Sequence, residues 1–305
     1  MPGMPLDSAL TGTDPGAAAI LLCGHGTREP TGVAQFEAMV AALRARHPEL
    51  HIAHGFLELA APGLDAAAGR LYEEGVRDIR VVPVFLFAAG HLKRDLPDML
   101  AAIAQRHAGL QIRLEGPIGL TADVLETVHR LAGRAAAGGM PAPAADTCLL
   151  VIGRGTSDPE ANAEVARLAR MTAERLGWGF ATTGYVAVTR PSVTEAMGLV
   201  DLLPFGRVVV LPLVLFDGRL HQGIARDMAL RQAQSPRQWR LADPFCTDDA
   251  WLGVLDAHID GEATAMPCRL CHYRVPALAA DEGGHGHGDH HHAHHHHPHD
   301  PKDPA

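Results

Sequence analysis

The sequence predicts two tandem, doubly wound α/β domains built on parallel strands and related by internal duplication, with a histidine-rich C-terminal tail. One observation is a repeat at fixed spacing: LCGHGTREP (22–30) is answered by VIGRGTSDP (151–159), and Gly55-Phe56-Leu57 with Pro62 by Gly184-Tyr185-Val186 with Pro191, all offset by 129 positions. A third block, VVPVFLFAAGHL (81–92), matches VVLPLVLFDGRL (209–220), with one residue fewer in the second loop. A second observation is the alternation of strand-length apolar runs with helical periodicity. The third is that the strands are apolar throughout, as in parallel sheets covered on both faces.

Ala18–Cys23 reads as the first strand, and Val33, Phe36, Met39, Val40 and Leu43 then recur at helical spacing as far as Pro48. His51–Leu57 is the next strand, Leu64–Glu74 a helix closed by Gly75, Ile79–Phe87 a buried strand and Leu92–His107 a third helix. Each half thus reads strand, helix, strand, helix, strand, helix. The stretch Arg134–Asp146 is small, Gly/Pro-bearing and featureless, the composition of a linker. These signals divide the chain into a flexible N-terminus (1–17), a first domain (18–137) carrying the chemistry, a linker (138–146), a second domain (147–262) and a C-terminal segment (263–305).

The 305 residues, 47% hydrophobic, suffice for two modest cores. A formal net charge of -9 offers no broad cationic surface for nucleic acid or anionic lipid, so a small-molecule partner is expected. Apolar runs are too short to span a bilayer, and the opening MPGMPLDSAL lacks the charged-then-apolar order of a secretion signal, which predicts a cytoplasmic protein. The odd count of 5 cysteines argues for free thiols or metal ligands over a disulfide framework.

Open parallel sheets bind ligands beyond the carboxyl ends of their strands. There the first half places His25, between Gly24 and Gly26, then Glu58 directly after Gly55-Phe56-Leu57, and His91 after Ala88-Ala89-Gly90. Two imidazoles and a carboxylate suit cobalt, nickel, iron or zinc, and histidine also accepts protons near neutral pH. A lone histidine in Gly-x-Gly is weak evidence, since many phosphate-binding turns share it; two at equivalent strand ends are stronger. Glu58 read alone is equally an exposed residue before a helix. In the second half His25 faces Arg154 and His91 faces Arg219, so the metal site is single. Arg154 and Arg219 are expected either to hold substrate carboxylates or to fill the lost site.

LLCGHGTREP, GFLE and PVFLFAAGHLKRD together resemble the class II chelatases, in particular the long-form sirohydrochlorin cobaltochelatases, over roughly Ala18–Asp260. The resemblance implies ATP-independent insertion of cobalt into sirohydrochlorin for cobalamin synthesis, with His25 and His91 holding the metal and assisting deprotonation, and Glu58 helping. Relatives insert iron or nickel, and the histidine pair does not separate these metals. Met266-Pro267-Cys268-Arg269-Leu270-Cys271 resembles a motif that contributes to an iron–sulfur centre in some members. Cys268 and Cys271 supply only two thiolates, so further ligands would have to come from Cys23, Cys148, Cys246 or elsewhere; the alternative is zinc or nothing.

The tail holds ten histidines: His285, His287, His290, His291, His292, His294, His295, His296, His297 and His299. Its composition predicts disorder and reversible metal binding, a local store of cobalt, nickel or zinc. The interruptions at Ala293 and Pro298 and the DPKDPA ending separate it from an affinity tag. A metal buffer or metallochaperone is the alternative function, but it leaves unexplained why only one copy keeps histidine at two strand ends. No nucleotide-binding G-x-x-x-x-G-K-[ST] loop occurs. A duplicated chain supplies both walls of a cleft, which favours a monomer.

Overall fold

The computed structural model describes residues 18–88 and 90–261, apart from the side chain of His91. The first half runs β1 (Ala18–Gly24), α1 (Pro30–Arg46), β2 (His51–Phe56), α2 (Leu64–Glu73), β3 (Asp78–Pro83), a π-helical turn (His91–Asp95), α3 (Leu96–Arg106), β4 (Gln111–Leu114) and α4 (Ala122–Ala137). The second repeats it as β5 (Thr147–Gly153), α5 (Pro159–Leu176), β6 (Phe180–Tyr185), α6 (Val193–Val200), β7 (Arg207–Pro212), α7 (Arg219–Gln232), β8 (Gln238–Leu241) and α8 (Trp251–Ile259). Two parallel four-stranded sheets result, ordered β2-β1-β3-β4 and β6-β5-β7-β8. No helix among the described residues is long and apolar enough to cross a membrane.

Local chemistry sets the elements. Proline opens both α1 and α5, where its missing N–H costs no helical bond. The Asp158 side chain accepts from Glu160 N, and Gly177 closes α5 in the left-handed region at φ 65°. Ser192 and Glu195 form a reciprocal capping box on α6. Central strands β5 and β7 are buried at every position, because helices cover both faces.

Three differences from the sequence reading matter. β3 stops at Pro83, four residues before the apolar run ends. Val84 N still bonds Cys23 O at 2.9 Å, but Phe85 O and Leu86 O then accept from Ile118 N and Gly119 N, so the run leaves the sheet and forms a wall. The expected helix from Leu92 begins instead as the π-helical turn, followed by α3 with Pro97 in its first turn. Proline removes the N–H that would bond four residues back, which disfavours a continuous α-helical start. A fourth strand and fourth helix in each half escaped the pattern: β4 is four residues long and alternates exposed with half-buried positions, too short for a clear period.

The halves also share a core. α4 packs on β7, β8 and α5 of the other half, and α8 returns to pack on α1 and α4. One apolar cluster therefore joins Leu22 and Phe36 to Val128 and Leu131, and on to Leu149, Val165 and Trp251. Ion pairs lock the exchange: Arg130 Nη2 and Arg134 Nη1 donate to Asp248 at 2.9 and 2.7 Å, and His47 Nε2 meets Asp256 Oδ1 at 2.9 Å. Burial pushes the Asp248 carboxyl up, but the bonds from Arg130, Arg134 and Ala250 N outweigh it and hold the group below the usual carboxylate range. The two halves fall in one compact unit.

Candidate active site

The carboxyl ends of the two sheets enclose one cavity of about 480 Å³, whose walls come from both halves. That is within the size range of small-molecule sites. Most of its surface is apolar: Phe85, Leu86 and Phe87 on one side, Leu213, Val214, Leu215 and Phe216 on the other. The apolar runs that overshoot β3 and β7 are thus the cavity walls.

His25 follows β1 directly, and its loop is fixed by backbone pairing with the segment after β2: Leu57 N bonds Gly24 O at 2.8 Å and Glu58 N bonds His25 O at 3.0 Å. Gly26 makes this approach possible. It sits at φ +90°, and a Cβ there would lie 1.8 Å from the Glu58 carbonyl oxygen. The paired loops bring His25 Nε2 to 3.5 Å from Glu58 Oε1, with both side chains partly exposed. The phenyl ring of Phe85 lies 6.1 Å from the imidazole, centroid to centroid.

The second half reproduces this backbone without the chemistry. Val186 N bonds Gly153 O at 3.1 Å, Ala187 N bonds Arg154 O at 3.0 Å, and Gly155 takes φ +81° with its added Cβ 1.9 Å from Ala187 O. Where the first half has His25 and Glu58, the second has Arg154 and Ala187. The two turns face each other, and Arg154 Nη1 donates to His25 Nε2 at 2.8 Å. A guanidinium can only donate, so Nε2 is the acceptor, and Nδ1–H faces Gly26 O at 3.3 Å. Arg219 sits on the cavity lining and pairs with Glu29 Oε1 at 2.6 Å.

The structure thus brings together His25, Glu58 and Arg154. The backbone of His91 starts the π-helical turn, one residue before the cavity-lining Leu92, while its side chain lies outside the described residues. Among the described residues no three His, Cys, Asp or Glu side chains converge as a metal cage. Cys268, Cys271 and the histidine tail from His285 to His299 also lie outside them. Cys23 and Cys148 are fully buried in their strands, and burial pushes both thiols up to about 12. Neither can reach a cluster without dismantling a core, so Cys23 and Cys148 are not its further ligands. Cys246 is half-buried, with its thiol raised to about 11 by burial and by Asp217.

Two features escaped the sequence reading. Lys93, in the π-helical turn, crosses to the second half and pairs with Asp158 Oδ2 at 2.7 Å and Glu160 Oε2 at 2.6 Å, with Lys93 and Asp158 both buried. Nothing in the sequence names its partners. On the opposite wall His221 Nδ1 lies 3.1 Å from Asp217 Oδ1, a pairing that the i,i+4 spacing could have suggested.

A duplicated α/β chain whose facing strand-end turns set a histidine beside a carboxylate at the cleft between its copies has the architecture of a two-lobed chelatase. The chain belongs to the CbiX family, whose model matches residues 19–135 and again 148–261. It is 27% identical over 263 residues to the sirohydrochlorin cobaltochelatase of Priestia megaterium, spanning 84% of this chain and 85% of that protein. It is 26% identical over 220 residues to the sirohydrochlorin ferrochelatase of Bacillus subtilis, spanning 72% and 82%. A solved structure of the sirohydrochlorin chelatase SirB from Bacillus subtilis subspecies spizizenii, in complex with cobalt, shares the fold with a TM-score of 0.67 at 23% identity, covering 81% of this chain and 95% of that one.

Proposed function

We propose that the protein inserts a divalent metal, cobalt first among the candidates, into a sirohydrochlorin-type tetrapyrrole held in the cleft between its halves, without nucleotide hydrolysis. The observation that carries this reading is that His25, which lines the apolar cavity, has Glu58 Oε1 3.5 Å from its Nε2. An apolar slot accepts the flat faces of a macrocycle, and an incomplete nitrogen–oxygen site holds a borderline cation loosely enough to release it. His91, one residue from the lining, is the further ligand. Insertion requires two pyrrole N–H protons to leave, and His25 and Glu58 are the bases at hand. Arg219 and Arg154 take the macrocycle's carboxylates at the rim. Both walls belong to one chain, so a monomer in the cytoplasm is sufficient.

Insertion of iron into the same macrocycle is the second reading, favoured by the ferrochelatase of Bacillus subtilis lying as near in sequence as the cobalt enzyme. The test is anaerobic: the absorption change of sirohydrochlorin is followed with protein and cobalt, iron or nickel ions in turn. Faster insertion of cobalt than of iron, each against its protein-free control, supports the first reading; iron alone accelerated supports the second. No acceleration with any ion overturns both, and favours a metal buffer.

A further inference from the structure

Nε2 of His25 has one lone pair, and Arg154 holds it through a hydrogen bond of 2.8 Å. With Nδ1 turned to the Gly26 carbonyl at 3.3 Å, that lone pair is also the ring's means of gripping a metal. Two claimants face one acceptor, and both are positive, so a cation beside His25 and Glu58 has to displace the guanidinium. We infer that Arg154 competes with the metal for His25, that carboxylates of the bound macrocycle draw Arg154 away, and that metal and macrocycle therefore bind with positive coupling. This deepens the chelatase reading and rests on it.

The duplication explains the contact. His25 and Arg154 are the same position in the two repeats, 129 residues apart, at the tips of facing turns. Arg154 is exposed, so its fork can reach a ligand at the rim. A guanidinium–carboxylate bond carries charge on both partners and is often bidentate, so a rim carboxylate outbids the single bond to the neutral imidazole. Arg219 differs here, because Glu29 already gives it a charged partner at 2.6 Å and leaves less to gain. Coupling of this kind is reciprocal: whatever factor the macrocycle adds to metal affinity, the metal adds to macrocycle affinity. Arg154 thereby delays capture of metal until the acceptor of that metal is in place.

The test is Co²⁺ binding by calorimetry in the full-length chain, with the His25→Ala chain titrated in parallel so that the difference isolates the His25-dependent site from the histidine tail. The probe for the macrocycle is copper uroporphyrin, an octacarboxylate whose centre is already filled. Copper uroporphyrin should tighten His25-dependent cobalt binding about tenfold, the weight of one hydrogen bond. Arg154→Met should tighten it by a similar factor without the porphyrin and make it insensitive to the porphyrin. Equal affinity in the Arg154→Met and unsubstituted chains, or an unchanged porphyrin effect in Arg154→Met, overturns the competition. Should His25→Ala leave both cobalt binding and insertion intact in every background, the chelatase site itself falls, and the competition with it.

Discussion

Gly26→Ala isolates the geometry on which the site depends, and the duplicated fold supplies its control. At φ +90° an alanine costs about 1–2 kcal/mol. Its Cβ would also stand 1.8 Å from the Glu58 carbonyl, whereas real contacts keep to 3.0 Å or more, so the turns carrying His25 and Glu58 must part by about 1.2 Å. Overpacking of that kind adds about 1–3 kcal/mol, for a total near 2–4 kcal/mol. Gly155→Ala meets the same conditions in the second half, with φ +81° and Ala187 O at 1.9 Å, and should destabilise by a similar amount. Their effects on chemistry should differ. A displacement of about 1 Å at reacting groups costs on the order of a hundredfold in rate, and only Gly26 separates His25 from Glu58. Gly155→Ala shifts Arg154, which bears on binding of the macrocycle, and should leave the rate at saturating metal and macrocycle within about threefold. Urea unfolding gives the stabilities, and initial rates of anaerobic metal insertion give the chemistry. If the two variants lose rate equally at matched stability, or Gly26→Ala keeps its rate, the assignment of the site to the first half's paired turns is wrong.

Lys93→Met should destabilise by about 3–5 kcal/mol in urea titrations, because Asp158, 1% exposed, is left charged in the core. Adding Asp158→Asn should recover part of that loss, and no recovery would show that the pair is not the source. Asp248→Asn should cost about 2–3 kcal/mol at neutral pH, since Arg130 and Arg134 lose their shared charged acceptor. The folded-state pKa of Asp248 is depressed, so its stabilisation is present above the ordinary carboxylate pKa and is lost as pH falls through the lower folded value. The gap between Asp248→Asn and the unsubstituted chain should accordingly narrow in acid, and a gap constant down to pH 3 would refute the assignment. Cys23 and Cys148, their thiols near 12, should resist a thiol reagent at pH 8 in the folded chain and react on denaturation, as read by peptide mass spectrometry; labelling of either in the native chain would contradict its burial.

The repeat made the architecture legible, because strands covered on both faces are written as apolar runs and each copy confirmed the other. The neighbouring placement of His25 and Glu58 was legible for a related reason: His25 directly follows β1 and Glu58 lies two residues past β2, and parallel strands deliver such residues to one edge. Where strand becomes wall was not legible, since Val84–Phe87 stays apolar whether it pairs in a sheet or lines a cavity. The crossing of α4 and α8 left no mark either. The stripe of Val124, Val128 and Leu131 specifies a buried face without naming the sheet that buries it, so a sequence divided at 138–146 hides a shared core. The meeting of Arg154 with His25 needed the arrangement of the two copies in space, which spacing along the chain does not encode.

The most direct measurement of the central claim is anomalous diffraction at the cobalt edge from crystals of the full chain soaked with Co²⁺. A difference peak about 2.0–2.2 Å from His25 Nε2, with Glu58 as a second ligand and Arg154 swung off the imidazole, is the expected result. Cobalt bound elsewhere in the fold while His25 keeps its bond to Arg154 would contradict it.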